Sequence, residues 1–273
     1  MSLRIVFLKD EHKCICSICN LGEIKKMEQW NTNHVELHKT FRNKHNGRIK
    51  SCFQPTGRVY SGIVEIDEVL GGVYTGQVTA FVGKSKLLSS LLHRICVKTF
   101  DMFHSPVIVL DAGNQLNPYL IARFARLQML STQEVLEQVY LSRTYTVYQL
   151  TDLIYHHVDS FIQQVKPVTI MLTGLFSLLK DADISEDERY QLLQIVMKKI
   201  KQITTKYHVA MVLIDTQYRG YDNTVFDACV DNTVQLKDMH HCPRMTITKK
   251  NQQVTVTSET FGQLCLHDFG MEE

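Results

Sequence analysis

The chain has 273 residues, of which 44% are hydrophobic, and a formal net charge of +2. That is enough apolar material for one sizeable core with a small appended module, and the near-neutral charge argues neither for nor against a nucleic-acid partner. The apolar runs are short and interrupted by polar residues, which excludes a helical membrane span, and the opening MSLRIVFLKDEHK sets charge directly after a brief apolar patch, unlike a signal peptide.

In chain order, residues 1–50 form a distinct head rich in Cys, His and Lys, with a local charge balance of +5 against −3 for the remainder. A basic head on a mildly acidic body hints at an anionic partner, with a solvated basic surface as the plain alternative. Three of the eight cysteines, Cys14, Cys16 and Cys19, fall within six residues. With no export signal, the expected setting is intracellular and reducing, cytoplasmic or nuclear, and the cluster points to metal rather than disulfides. Cys16-x2-Cys19 followed by His34-x3-His38 has the spacing of a Cys2His2 zinc site. A two-residue gap lets a turn present two thiolates, and a three-residue gap on a helix sets two imidazoles on one face. Cys14 and His45 are substitutes within the same cluster; free cysteines beside solvated histidines are the alternative reading. A bound zinc would hold together a head too small to bury a core of its own.

Residues 51–62, with Pro55, Gly57 and Gly62, read as a linker into a body spanning 51–273. From Ile63 onward, short and nearly continuous apolar runs alternate with amphipathic segments. The predicted strands are 76–83, 106–113, 137–143, 167–174 and 209–216, and the predicted helices are about 84–103, 117–130, 147–165 and 187–207. In the last helix Leu192, Leu193, Val196, Ile200 and Ile203 make one apolar face. Alternation of this kind predicts an open, mostly parallel α/β sheet flanked by helices. After residue 230 the runs NTVQLKD, RMTITKK, QQVTVTSE and QLCLHDF read as antiparallel strands closing one sheet edge. His156-His157 and His240-His241 are read as helix-surface and loop residues, and Trp30 as a packing residue of the head.

Four segments carry a family resemblance. TGRVYSGIVEIDEVLGGVYTGQVTAFVG, VIVLDAGNQLNPYLIARFARL, VYLSRTYTVYQLTDLI and VAMVLIDTQYRG resemble, in order and at compatible spacing, the core of the RecA/RadA recombinase superfamily, including its paralogue branches. The resemblance implies a RecA-like sheet, a nucleotide site after the first central strand, and DNA-facing residues after Gln217. Gly83, Lys84 and Ser85 match only the ends of the phosphate loop G-x-x-x-x-G-K-[ST], with the intervening residues and second glycine missing. Such a loop works by curling successive backbone N–H groups around a phosphate, with Lys adding charge and Ser/Thr holding Mg²⁺. Here weak nucleotide binding competes with a plain helix start carrying a solvated lysine, and the latter is preferred. The family's magnesium-supporting Asp falls at Thr173 and its catalytic Glu at Gly113. ATP and magnesium are therefore doubtful cofactors.

Gln217, Tyr218, Arg219 and Tyr221 are candidate contacts to single-stranded DNA by stacking and neutralisation, or a turn packed on the C-terminal strands. Arg244, Lys249 and Lys250 extend a basic rim or form a charged hairpin. The expected function is a non-catalytic recombinase paralogue acting in DNA recombination and repair, bound to DNA or to a recombinase, alone or in a homo- or hetero-oligomer. The short Phe-x-x-Ala tether that links family subunits is not found, which makes filaments doubtful. Two alternatives stand beside it: an ATPase with a rearranged loop using Asp215, Asp111 or Glu65, and a zinc-stabilised protein-interaction module with no DNA role.

Overall fold

A computed structural model describes residues 4–5, 57–85, 87–218, 223–238, 243–249 and 252–257. The chain divides into two units, Met1–Leu8 with Pro55–Glu273, and Lys9–Gln54; all the described residues belong to the first. The zinc-spaced residues Cys16, Cys19, His34 and His38, with Cys14 and His45, lie outside the described residues.

The strands are β1 (Arg4–Ile5), β2 (Arg58–Val59), β3 (Val73–Tyr74), β4 (Val78–Lys84), β5 (Val107–Asp111), β6 (Val139–Arg143), β7 (Thr169–Thr173), β8 (Ala210–Asp215), β9 (Asn232–Asp238), β10 (Pro243–Lys249) and β11 (Gln252–Thr257). The helices are α1 (Val64–Leu70), α2 (Leu87–Phe103), α3 (Pro118–Leu127), α4 (Thr132–Glu137), α5 (Val147–Asp152), α6 (Val158–Val165), α7 (Leu175–Leu179), α8 (Glu186–Tyr207) and α9 (Asn223–Cys229), with a π-helical turn at Leu153–His157 joining α5 to α6.

Nine strands form one sheet in the order β1-β6-β5-β7-β8-β4-β9-β10-β11. Within this sheet every pairing along the order from β1 as far as β9 is parallel, and β9-β10 and β10-β11 are antiparallel; β2 and β3 pair antiparallel in a separate two-stranded sheet. The sheet is thus RecA-like and mostly parallel, as the strand-helix alternation implies. One refinement concerns β9: it runs parallel to β4 before the antiparallel hairpins begin. Another is at the edge, where Arg4–Ile5, within the segment assigned to the head, pairs with Tyr140 and Leu141 of β6.

The central strands are largely apolar because both faces are covered. Every residue of β5, β7 and β8 is buried. One face packs on α1–α4 through Ile66, Leu92, Ile95, Ile121 and Phe124; the other packs on α5–α9 through Leu150, Ile162, Leu193, Val196 and Phe226. Burying side chains of this size stabilises the fold by about 1.5–3 kcal/mol each.

Helix starts follow local chemistry. Asn117 accepts from the Tyr119 amide ahead of Pro118, Thr146 from the Gln149 amide, and Ser185 from the Glu188 amide. The last is followed by Glu186, Asp187 and Glu188, carboxylates that complement the positive end of the 22-residue α8. His156 and His157 lie in the π-helical turn, near Asp152. Among the described residues no helix is long and apolar enough to cross a membrane.

Candidate functional site

In an open parallel sheet, ligands sit beyond the carboxyl ends of the strands. Three stretches of that edge carry the candidate chemistry. The first is the turn from β4 to α2. The predicted helix start at 84 is corrected: the strand runs through Lys84, which is exposed, and α2 begins only at Leu87. Gly83 has φ 120°, and a Cβ there would come within 2.1 Å of the Leu236 carbonyl oxygen on β9. The glycine is thus required by the close approach of the neighbouring strand. Ser85 is buried; its Oγ accepts from the Leu87 amide at 3.2 Å and its carbonyl from the Leu88 amide at 3.2 Å. The first turn of α2 is capped by its own chain.

The second stretch joins the ends of β5, β6 and β7. Asp111 is 1% exposed. Its Oδ1 accepts from the Gln115 amide at 2.9 Å and from the Thr173 hydroxyl at 2.7 Å, and its Oδ2 from the Leu116 amide at 3.1 Å. Arg143 Nε lies 3.6 Å from Oδ2. The Thr173 hydroxyl also accepts from the Gly113 amide at 3.4 Å. So Thr173 and Gly113 are tied to each other, and through Thr173 to Asp111. Gly174, with φ 73°, closes the stretch: a Cβ on it would fall 2.4 Å from the Gly113 nitrogen.

The third stretch is the end of β8. Asp215 is 3% exposed and accepts from the Phe176 amide at 2.7 Å and the Gln217 amide at 2.6 Å. Burial pushes its carboxyl above the usual range, opposed by those amides and by the Lys180 charge. Lys180 Nζ donates to the Gln217 carbonyl at 2.8 Å and to its side-chain oxygen at 2.9 Å. Tyr218 packs edge-on to Phe176, with centroids 5.2 Å apart, and lies 4.9 Å from the Phe226 ring. Of the four residues predicted to contact DNA, Gln217 is exposed but clamped and Tyr218 is in an aromatic cluster; Arg219 and Tyr221 lie outside the described residues. Glu65 sits in the first turn of α1, among neither set of partners above.

His93 is a residue that sequence reasoning missed. It is fully buried in α2; its Nε2 accepts from the Asn117 amide at 2.8 Å, so its Nδ1–H donates to the Ser89 carbonyl. Burial lowers its pKa, and the neutral ring fastens α2 to the β5–α3 loop. No signal in a lone histidine of an apolar helix reports this. Among the described residues no group of three His, Cys, Asp or Glu could hold a metal ion.

No curated protein gives a significant match over this chain. The family model described as Rad51 matches residues 55–250, and with it the parallel sheet order and the four ordered segments agree. The chain therefore belongs to the Rad51 family, RecA-like proteins of DNA recombination and repair within the RecA/RadA superfamily.

Proposed function

We propose that this chain is a non-catalytic recombinase paralogue, an accessory that binds DNA or a RecA/RadA-type recombinase and does not turn over ATP. The observation that carries the reading is the turn between β4 and α2. Among the described residues, a strand continuing to Lys84, with Ser85 already spent on the amide of Leu87, offers no concave run of N–H donors for a triphosphate. These residues do not fit a magnesium nucleotide, and Thr173 and Gly113 supply neither of the carboxylates that would hold the metal and activate water. Asp111 and Asp215, which a rearranged site would have to recruit, are buried acceptors of backbone amides.

The same reading gives the head, residues 1–50, a structural zinc held by Cys16, Cys19, His34 and His38, separate in role from the body 51–273. The partner is single-stranded DNA or a recombinase subunit, reached in part through the segment from Gln217 to Tyr221. The test is a steady-state ATPase assay beside titrations with single- and double-stranded DNA, using the full chain. DNA binding without turnover is the expected result. Turnover that disappears in Lys84→Ala would overturn the non-catalytic assignment. Metal analysis of the purified chain, wild type against Cys16→Ser/Cys19→Ser, checks the zinc: one ion per chain lost in the variant supports it.

A further inference from the structure

The register of the sheet brings together residues that lie far apart in the chain. Lys84, the last residue of β4, stands opposite Lys237 of β9 in the parallel pair, and Lys237 stands opposite Arg244 of β10 in the antiparallel pair. Partners in register lie on one face of adjacent strands about 4.8 Å apart. Lys84 and Lys237 therefore stand side by side on adjacent strands, about 4.8 Å apart, and Arg244 holds the next register position. Lys84 and Lys237 are exposed. The next row back in the same register is Val82, which is buried, followed by Gln235, Thr246 and Thr255, and the hydroxyls of the two threonines lie 3.4 Å apart. Neither row of these strands contains a carboxylate. The opposite face of the same strands is committed to the core through Leu236 and Ile247.

Like charges set directly opposite on neighbouring strands are destabilising. A pair of them with no internal counter-charge is a poor way to finish a sheet and a good way to hold neighbouring anions. We propose that Lys84 and Lys237 form a phosphodiester-binding pair for single-stranded nucleic acid, with Gln235, Thr246 and Thr255 behind Lys237 as a neutral hydrogen-bonding floor. Lys84 here serves as one cation of that pair rather than as the lysine of a phosphate loop. The inference rests on the DNA-binding reading above and adds to it where the backbone lies: along the ends of β4 and β9, beyond the segment at Gln217.

The experiment is a fluorescence-anisotropy titration of the full chain with a labelled oligothymidylate between about 50 and 200 mM salt, the range over which phosphate contacts are resolved. Wild type is compared with Lys84→Gln/Lys237→Gln and with Lys84→Arg/Lys237→Arg. Each phosphate contact to a single strand contributes about 0.7 to the slope of log affinity against log salt. The glutamine pair is expected to lower the slope by about 1.4 and the affinity about 25-fold at 0.1 M salt, while the arginine pair keeps both. The glutamine pair is also expected to unfold at a higher temperature, because the repulsion is gone; a merely structural role for the lysines would lower it. A wild-type slope retained in the glutamine pair would overturn the lysine site while leaving DNA binding elsewhere on the chain intact. Absence of oligothymidylate binding by the wild type would overturn the lysine site and the DNA arm of the proposed function together.

Discussion

Two stretches of one sheet edge treat charge in opposite ways. At the ends of β5, β7 and β8 the ionisable groups are turned inward: Asp111 and Asp215 are almost fully buried, Asp111 accepting the Gln115 and Leu116 amides of the loop that follows it and Asp215 the Gln217 amide and the Phe176 amide of α7. At the ends of β4 and β9 the register leaves Lys84 and Lys237 side by side, both exposed. The first stretch holds carboxylates as structural acceptors, with each oxygen already engaged. The second holds cations whose positions lower stability unless something anionic arrives. On the proposed reading, the first stretch serves structure and the second serves an anionic partner.

The largest effect that would break this contrast is expected at the boundary between the two stretches. Gly83→Ala places a methyl group against the Leu236 carbonyl in a backbone conformation that disfavours it, and is expected to cost about 4 kcal/mol in urea unfolding. A near-neutral result would mean that β9 does not approach β4 as described. Next comes Asp111→Ala. It strips the Gln115 and Leu116 amides and the Thr173 hydroxyl of their acceptor, and is expected to cost about 3 kcal/mol. A variant of full stability would return Asp111 to the set of candidate catalytic groups.

A smaller effect comes from His93. Its pKa is lowered in the fold from an ordinary value of 6.5, so as pH falls the unfolded chain takes up the proton first. Its contribution is full above the ordinary value and is lost as pH drops below it towards the folded value. Asp67 and Asp215, raised chiefly by burial, act in the opposite sense at lower pH. The quantity to measure is therefore the difference between wild type and His93→Phe across this range, and the expected outcome is a steeper acid loss in the wild type. The smallest effect is expected for Lys237→Gln alone: a gain of about 0.3–0.5 kcal/mol from relieving one like-charge pair. A loss of stability there would mean that the lysine has a counter-charge.

Much of the fold was legible in the sequence. The five central strands and four long helices read from apolar runs and helical spacing lie where predicted, to within a few residues at their ends. Those signals are local. Short elements such as α4 and α7, of six and five residues, carry too few turns for periodicity to mark them. The π-helical turn at Leu153–His157 continues an apolar pattern that reads equally well as one helix through 165. The site was less legible because its partners are distant in sequence. Asp111 meets Thr173 across 62 positions, and Lys84 meets Lys237 only through the register of two strands. A sequence displays the residue types at such places, while the sheet decides which of them face one another.

The central claim is that the described residues of the turn from β4 to α2 make no cradle for a triphosphate. Calorimetric titration of the full chain with a non-hydrolysable ATP analogue and magnesium tests it most directly. The account predicts no saturable binding up to about 1 mM ligand, the regime of only weak, unselective anion contacts. Saturable, magnesium-dependent binding in the micromolar range that is lost in Lys84→Ala would contradict it.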